Sequence, residues 1–292
     1  MKEAGSAPRI DYVALKSGGI IMQRDDDFFS VRLKLPGGCI SADQLPKIAE
    51  LANRYGRGTV RLTARQGLEI PWVRFEEIEA IRNELSQAGL ALGYCGPRFR
   101  AITSCSGLPV CRYAITDSQN LAKKIDGIFG GQQLPYKFKA TVSGCPNACS
   151  KPRENDIGLC GIIQPRLEND ICIGCGLCVN ICKENALMLL DGKPMLDMSR
   201  CIHCGDCIQS CPTDAWKEER KGYAVFAGGK MGRHPRLGEK IADFVDEEQG
   251  IGIIRRCLDF YLQHGNKRER FSDLLQRFGI VRFKAEVLQE VA

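Results

Sequence analysis

The first clear alternation of apolar and polar positions runs through residues 27–35, DFFSVRLKL, where Val31, Leu33 and Leu35 alternate with Arg32 and Lys34. A period of two predicts a strand with both cations on one face. The stretch before it, IDYVALKSGGIIMQR at 10–24, reads as a second extended piece. Pro36-Gly37-Gly38 breaks the strand, and Ser41 then stands as the N-cap of a helix that runs to Tyr55 and stops at Gly56. Residues 59–65, TVRLTAR, predict another strand, with Arg61, Thr63 and Arg65 on one face and Val60, Leu62 and Ala64 on the other. A short strand at 69–73 precedes a helix at 76–88, whose apolar Ile78, Ile81 and Leu85 recur at helical spacing and which Gly89 ends.

Further on, Asp117 or Ser118 caps a helix to Phe129. Residues 137–142 read as a strand with Lys137 and Lys139 on one face, Phe138 and Ala140 on the other. GYAVFA at 222–227 reads as a strand, and helical stretches follow near 238–246, 251–263, 268–278 and 281–290. Strands interleaved with helices in this way predict an α+β fold with helices layered on a sheet. On pattern alone, the Arg61, Thr63 and Arg65 face is equally an ordinary solvated face, and Lys137 and Lys139 read first as two surface lysines.

Length and composition narrow the class. A chain of 292 residues that is 44% hydrophobic has room for one large or two ordinary domains. No run approaches the ~20 apolar residues of a membrane span, and the charged start MKEAGSAPRIDY is not a signal peptide, so the expected location is the cytoplasm. The net charge of +6 comes without a long basic run or an aromatic-rich platform, which argues against a nucleic-acid partner.

Sixteen cysteines change the picture, because a reducing compartment offers them no disulfides and leaves metal as the default explanation. Eight fall in two matched runs, Cys172, Cys175, Cys178, Cys182 and Cys201, Cys204, Cys207, Cys211, each spaced C-x2-C-x2-C-x3-C. This is the bacterial ferredoxin spacing, in which the fourth cysteine of each run serves the other cluster. It predicts one 4Fe-4S cluster on Cys172, Cys175, Cys178 and Cys211 and a second on Cys201, Cys204, Cys207 and Cys182. The first run ends Cys182-Lys183 where a proline is usual, which leaves the ligand intact. Structural zinc uses ligand pairs separated by longer loops, so a zinc reading is set aside. His203, inside the second run, reads as a solvated loop residue.

Two further doublets stand apart from these runs. Cys145 and Cys149 lie in the turn TVSGCPNACS at 141–150, leaving the strand at 137–142, and Cys105 and Cys111 lie in SCSGLPVC upstream. Together they offer the four thiolates that a cubane takes. Three oxidised clusters at about −2 each would cancel the positive excess without any polyanionic partner. The loop GGKMGRHPRLG at 228–238 brings glycine and basic groups to anionic oxygens through Arg233 or Arg236, and it lacks the dinucleotide fingerprint. Cys39, Cys95, Cys160 and Cys257 have no spacing relation to the clusters and read as small buried apolar residues. His234 and His264 are given no partner.

In order along the chain, RLKLPGG (32–38), RLTARQ (61–66), C-x5-C (105–111), LPYKFKATVSGCPNAC (134–149) and AGGKMGRHPRLG (227–238) resemble the sirohaem-dependent sulfite and nitrite reductases. The likeness covers about residues 15–290 and is strongest to the catalytic chain of the anaerobic type and to the dissimilatory type. It implies a sirohaem sulfite reductase-type domain at 1–168 and 216–292, with a two-cluster ferredoxin domain inserted at 169–215. It implies a third 4Fe-4S cluster on Cys105, Cys111, Cys145 and Cys149, the Cys149 sulfur also meeting the sirohaem iron. Arg32, Arg100, Lys137 and Lys139 match the family's substrate-binding cations, with Arg98 a competitor for the position given to Arg100. Arg61 and Arg65, with Thr63 on the same face, match groups that meet sirohaem carboxylates, joined by Lys230 and Arg233.

The function implied is six-electron reduction of sulfite to sulfide. Reduction of nitrite or hydroxylamine to ammonia is the first alternative. A non-catalytic polyferredoxin-like electron carrier is the second, though a carrier has no use for an anion pocket. The family pairs two related halves, and this chain carries one, which implies a homodimer whose cations close over the partner's sirohaem, or pairing with a related chain. No flavin or nicotinamide motif is present, so the electrons are expected from a ferredoxin or from dedicated redox subunits.

Overall fold

The computed structural model describes residues 11–288. Its first layer is an antiparallel four-stranded sheet in the order Ile20–Met22, Phe28–Leu33, Leu68–Arg74, Arg61–Leu62. Val31, Leu33, Leu68 and Ile70 are buried against the helices Leu45–Tyr55 and Ile78–Gln87, which present Ile48, Leu51, Ile81 and Leu85. Each such side chain contributes about 1.5–3 kcal/mol by leaving water. The opposite residues, Arg32 and Glu69, are cross-strand partners, and Glu69 is in turn the partner of Arg61.

The second layer is a five-stranded mixed sheet in the order Glu239–Val245, Trp216–Ala227, Ile157–Leu167, Ala140–Ser143, Thr103–Ser104. Helices Ser118–Phe129, Glu247–His264, Phe271–Phe278 and Ile280–Val287 supply its core. There the Phe138 ring meets those of Phe99, Tyr261 and Phe271 at centroid distances of 5.6, 5.9 and 5.0 Å. The two shortest strands lie side by side and parallel, with Thr103 opposite Thr141 and Ser104 opposite Val142. Both run out at the same edge, and that is how Cys105 and Cys145, remote in sequence, come to lie together.

Strands Ile157–Leu167 and Trp216–Ala227 pair antiparallel from Ile157 and Ala227 out to Leu167 and Trp216. The cysteine-rich segment 168–215 is the connection between their outer ends. It holds the hairpin Leu187–Leu190 and Lys193–Leu196, the short helices Leu177–Ile181 and Asp206–Gln209, and a small core of Cys178, Leu187, Cys207 and Trp216.

Several local expectations need correction. The 10–24 stretch is not all extended: Tyr12–Ser17 is helical because the Asp11 carboxylate accepts from the N–H groups of Val13 and Ala14. Residue 10 lies outside the described residues. The strand expected at 59–65 is only Arg61–Leu62, and Thr63 to Gln66 form a turn closed by Gln66 N–H to Thr63 C=O and Thr63 N–H to Gly67 C=O. Ladder pairing at 137–142 is confined to Ala140–Ser143, Phe138 making one isolated bridge to Phe99. The helix expected at 238–246 is the strand Glu239–Val245. Ile241 and Val245, four apart and both buried, satisfy a period of 3.6 and a period of two alike. Ser41 caps no N–H through its side chain. Residues 289–290 of the last expected helix lie outside the described residues.

Candidate active site and cysteine clusters

The turn that replaces the expected strand shapes the basic cavity. It has a volume of about 260 Å³ and is lined by Arg32, Arg61, Thr63, Arg65 and Arg100, with Tyr94 on its wall. Arg61 remains exposed on its two-residue strand, while the turn carries Arg65 inward, where it donates to the Asn155 side chain at 2.8 Å and the Ala101 carbonyl at 3.0 Å. Burial, with Arg100 nearby, pushes Arg65 down to about 10, still charged at neutral pH. Burial also lowers Arg100. For Arg32, burial works against the charge, but Cys95 and Glu69 more than offset it and leave its pKa raised. Lys34, on the same strand as Arg32, is engaged elsewhere: it pairs with buried Asp126 at 2.7 Å and donates to the Tyr94 hydroxyl at 3.0 Å.

Lys139 approaches these cations from the second layer. Its backbone N–H donates to the buried Asp156 carboxylate at 2.9 Å, and the Arg270 guanidinium pairs with the same carboxylate at 2.9 Å. Burial, reinforced by Arg65 and Arg270, brings Lys139 down to about 8, with Asp156 pulling the other way. Lys137 is half-buried, its ammonium 5.3 Å from the Tyr136 ring centre. Lys137 and Lys139 are not among the residues lining the cavity, and neither are Lys230 and Arg233. Lys230 pairs with Asp273, and Arg233 is exposed on the loop.

The cysteines gather in three groups. Cys105 Sγ accepts the Gly144 N–H at 3.1 Å, and the Cys105 carbonyl accepts from Ser118 Oγ at 3.1 Å and Gln119 Nε2 at 3.0 Å. A Cβ on Gly144 would stand 3.0 Å from the Thr116 carbonyl, so the close approach there favours glycine. Burial raises the Cys145 thiol, and Cys105, Cys111 and Cys149 are near enough to raise it further. Cys149 is exposed, its sulfur open to a further group. In the insert, Cys172, Cys175, Cys178 and Cys211 line one small cavity, and Cys182, Cys201, Cys204 and Cys207 line another of about 70 Å³.

These donor sets suit cubanes. All sixteen cysteines are free of disulfides, and burial pushes Cys204 up to about 11 and Cys207 up to about 12, so thiolates there need a cationic partner such as iron. Among the described residues no three His, Cys, Asp or Glu side chains are placed to hold a single metal ion. A cubane makes no such demand, since each sulfur meets its own iron corner.

Sequence reasoning missed several residues of this neighbourhood. Asn155, Asp156 and Arg270 hold Arg65 and Lys139 from behind, and Glu69 and Cys95 hold Arg32. Asn147, between Cys145 and Cys149, lines the cavity of Cys182 and Cys201 and so joins the cysteine turn to the insert. The sequence signals were slight: an acidic residue in a predicted strand, and an Asn-Asp dipeptide just past the second doublet. Of the four cysteines read as buried, Cys95, Cys160 and Cys257 are buried, while Cys39 is exposed and contacts Gln119 at 3.2 Å. His203 is half-buried rather than solvated, its ring edge-on to Phe244 at 4.9 Å. His264 pairs with Glu286 at 3.0 Å.

A cavity lined by arginines, together with three groups of four cysteines on one α+β scaffold, defines an iron–sulfur oxidoreductase that takes a small anion. The family described as the nitrite and sulphite reductase 4Fe-4S domain matches residues 95–292, and the nitrite/sulfite reductase ferredoxin-like half domain matches residues 21–88. The chain belongs to the nitrite and sulfite reductase family. It is 32% identical to one of the subunits of the anaerobic sulfite reductase of Salmonella typhimurium, covering 89% of this chain and 83% of that one. It is 35% identical to the coenzyme F420-dependent sulfite reductase of Methanocaldococcus jannaschii over 92% of this chain, spanning 44% of that longer protein. The fold matches a crystal structure of dissimilatory sulfite reductase I with a TM-score of 0.73 at 20% identity, covering 90% of this chain and 68% of that one. Among the described residues no helix is long and apolar enough to cross a membrane.

Proposed function

We propose that this chain reduces sulfite to sulfide, SO3²⁻ + 6 e⁻ + 7 H⁺ giving HS⁻ + 3 H2O, at a sirohaem coupled through Cys149 to a 4Fe-4S cluster on Cys105, Cys111, Cys145 and Cys149. The observation that carries the reading is the cavity lined by Arg32, Arg61, Arg65 and Arg100, with Lys139 close by. Sirohaem, when bound, supplies the iron that holds the substrate sulfur and passes electrons to it. The chain's own cations do the rest. Arg61 and Arg65, with Thr63, face the macrocycle's carboxylates, and Lys230 and Arg233 join them only if the 228–238 loop meets the group from outside the cavity. Arg32, Arg100, Lys137 and Lys139 receive the oxyanion and stabilise the charge that grows as oxygen leaves. Arg stays charged throughout, whereas Lys139, with its pKa near 8, is suited to give a proton from Nζ and take another from solvent.

Two cubanes in the insert, on the two four-cysteine cavities, complete three clusters in all. The grouping of those cysteines supports this, and Asn147 sets the Cys182 and Cys201 site next to the cysteine turn. None of Cys105, Cys111, Cys145 and Cys149 lines the basic cavity. That separation favours a homodimer, in which the cations of one protomer close over the sirohaem of its partner. Electrons come from a ferredoxin or dedicated redox subunits, the relatives being one component of an anaerobic enzyme and part of a longer F420-dependent enzyme.

Nitrite is the second reading, since the family description names it and the same cations would receive it. The test is kcat/KM for sulfite and for nitrite with a reduced viologen as donor. Higher kcat/KM for sulfite supports the first reading, and higher kcat/KM for nitrite replaces it with the second. No turnover of either anion by sirohaem-loaded protein returns the chain to the electron-carrier class.

A further inference from the structure

The cations of the cavity are held in a row by two acceptors that no motif singles out. Glu69 lies on the middle strand of three, its Cα register partners being Arg32 on one side and Arg61 on the other. Its carboxylate is 5% exposed. It accepts from Arg32 Nε at 2.9 Å, is paired again with the Arg32 guanidinium, and stands 3.6 Å from Arg61 Nε. The remaining Arg32 nitrogen donates to Cys95 Sγ at 3.2 Å, and Arg100 donates to the same sulfur at 3.3 Å. Cys95 is buried, and its backbone is tied to Ser17 by an N–H to C=O bond of 3.5 Å. The order is therefore Arg61, Glu69, Arg32, Cys95, Arg100, cation and acceptor alternating across three strands and the 93–100 segment.

We propose that Glu69 and Cys95 are positioning residues that lock Arg32 between Arg61, which faces the macrocycle's carboxylates, and Arg100, so that the Arg32 and Arg100 forks meet a small oxyanion as one preorganised receptor. The physical reason is that three guanidiniums lining one cavity repel one another and have long, flexible stems. An acceptor between each neighbouring pair offsets the repulsion and fixes the forks before the ligand arrives, which removes an ordering cost from binding. All three guanidinium nitrogens of Arg32 are then directed by protein, not by substrate. Its fork is set even in the empty cavity. Cys95 is suited to the shared position because a sulfur accepts from two donors at longer range than an oxygen does.

The inference rests on the oxyanion reading of the cavity but not on sulfite being the physiological substrate. The experiment compares holoenzyme carrying Cys95→Ala, Cys95→Ser or Glu69→Gln with the unaltered protein, using sulfite as the probe. Dissociation constants come from the visible absorbance change, KM and kcat from viologen assays, and sirohaem content and Tm from the same preparations. Cys95→Ala and Glu69→Gln are expected to weaken sulfite about tenfold and raise KM in step, with kcat within about twofold and sirohaem content unchanged. Cys95→Ser, which keeps an acceptor, is expected to restore most of the affinity. A purely structural role would lower Tm or sirohaem content and leave the sulfite constant of the loaded fraction unmoved, which overturns the proposal. Tighter binding in Glu69→Gln also overturns it, since Glu69 would then only dilute the positive field. If the unaltered protein binds no sirohaem, calorimetric titration with sulfite reads the same comparison, so failure of the enzyme reading and failure of the receptor row remain distinct.

Discussion

The backbone N–H of Lys139 ends on the carboxylate of Asp156, 2.9 Å away and wholly buried, and that carboxylate is also gripped by Arg270. The bond fixes the chain at Lys139, while the charge on Asp156 is the chief influence that keeps the Lys139 ammonium from falling further. Position and acidity of one cation are thus set by one side chain just ahead of the strand Ile157–Leu167.

The pH dependence follows from the sign of that shift. Lys139 is lowered to about 8 by burial, Arg65, Arg270 and Lys137, so it is charged below that pH and loses its proton above it. A reaction that needs the protonated amine should show kcat/KM falling on the alkaline side of about 8. Asp156→Asn removes the opposing negative charge and should move that limb to lower pH. An alkaline limb left in place in the variant would show that Lys139 is not the group titrating.

Asn155 gives a separate handle on the macrocycle side. Its side chain accepts from Arg65 at 2.8 Å, and it is buried. Asn155→Ala leaves Arg65 without that acceptor and should lower sirohaem content severalfold while cluster iron stays constant. Absorbance and iron assays on one preparation read both.

The crossed cysteine sets make a prediction about loss. Cys182 shares a cavity with Cys201, Cys204 and Cys207, and Cys211 with Cys172, Cys175 and Cys178. Cys182→Ala and Cys211→Ala should each remove about four irons, and different ones, so that their low-temperature electron paramagnetic resonance spectra lose different signals. Uncrossed pairing would have Cys182→Ala remove the signal of the Cys172 group.

The first layer has its own stability test. Leu51 is fully buried among Ile48, Ile70 and Ile81 in that core. Leu51→Ala should cost about 2–5 kcal/mol in denaturant unfolding of that layer, more than any exposed substitution on the same helix.

The amphipathic helices and the strand Phe28–Leu33 were legible because the helices keep one period and the strand alternates from Phe29 to Leu33. The Glu239–Val245 strand was not, because two apolar residues four apart fit both periods. The cysteine spacings are local, and each predicted set of four in the 168–215 segment lines one cavity. The cavity was only half legible: Arg32 and Arg65 stand out, but their partners Glu69 and Asn155 lie 37 and 90 positions away in sequence. No local pattern reports a strand register or a turn that carries Arg65 inward. The same holds for Lys230, whose basic loop reads as a ligand arm and whose ammonium is paired with Asp273 on a later helix.

The most direct measurement is the visible spectrum of protein purified without oxygen, taken with cluster iron and acid-labile sulfide on the same sample. Sirohaem absorption bands together with about twelve cluster irons per chain are the predicted result. About eight cluster irons and no macrocycle absorption would mean that Cys105, Cys111, Cys145 and Cys149 seat no cluster and that the basic cavity serves some other anion.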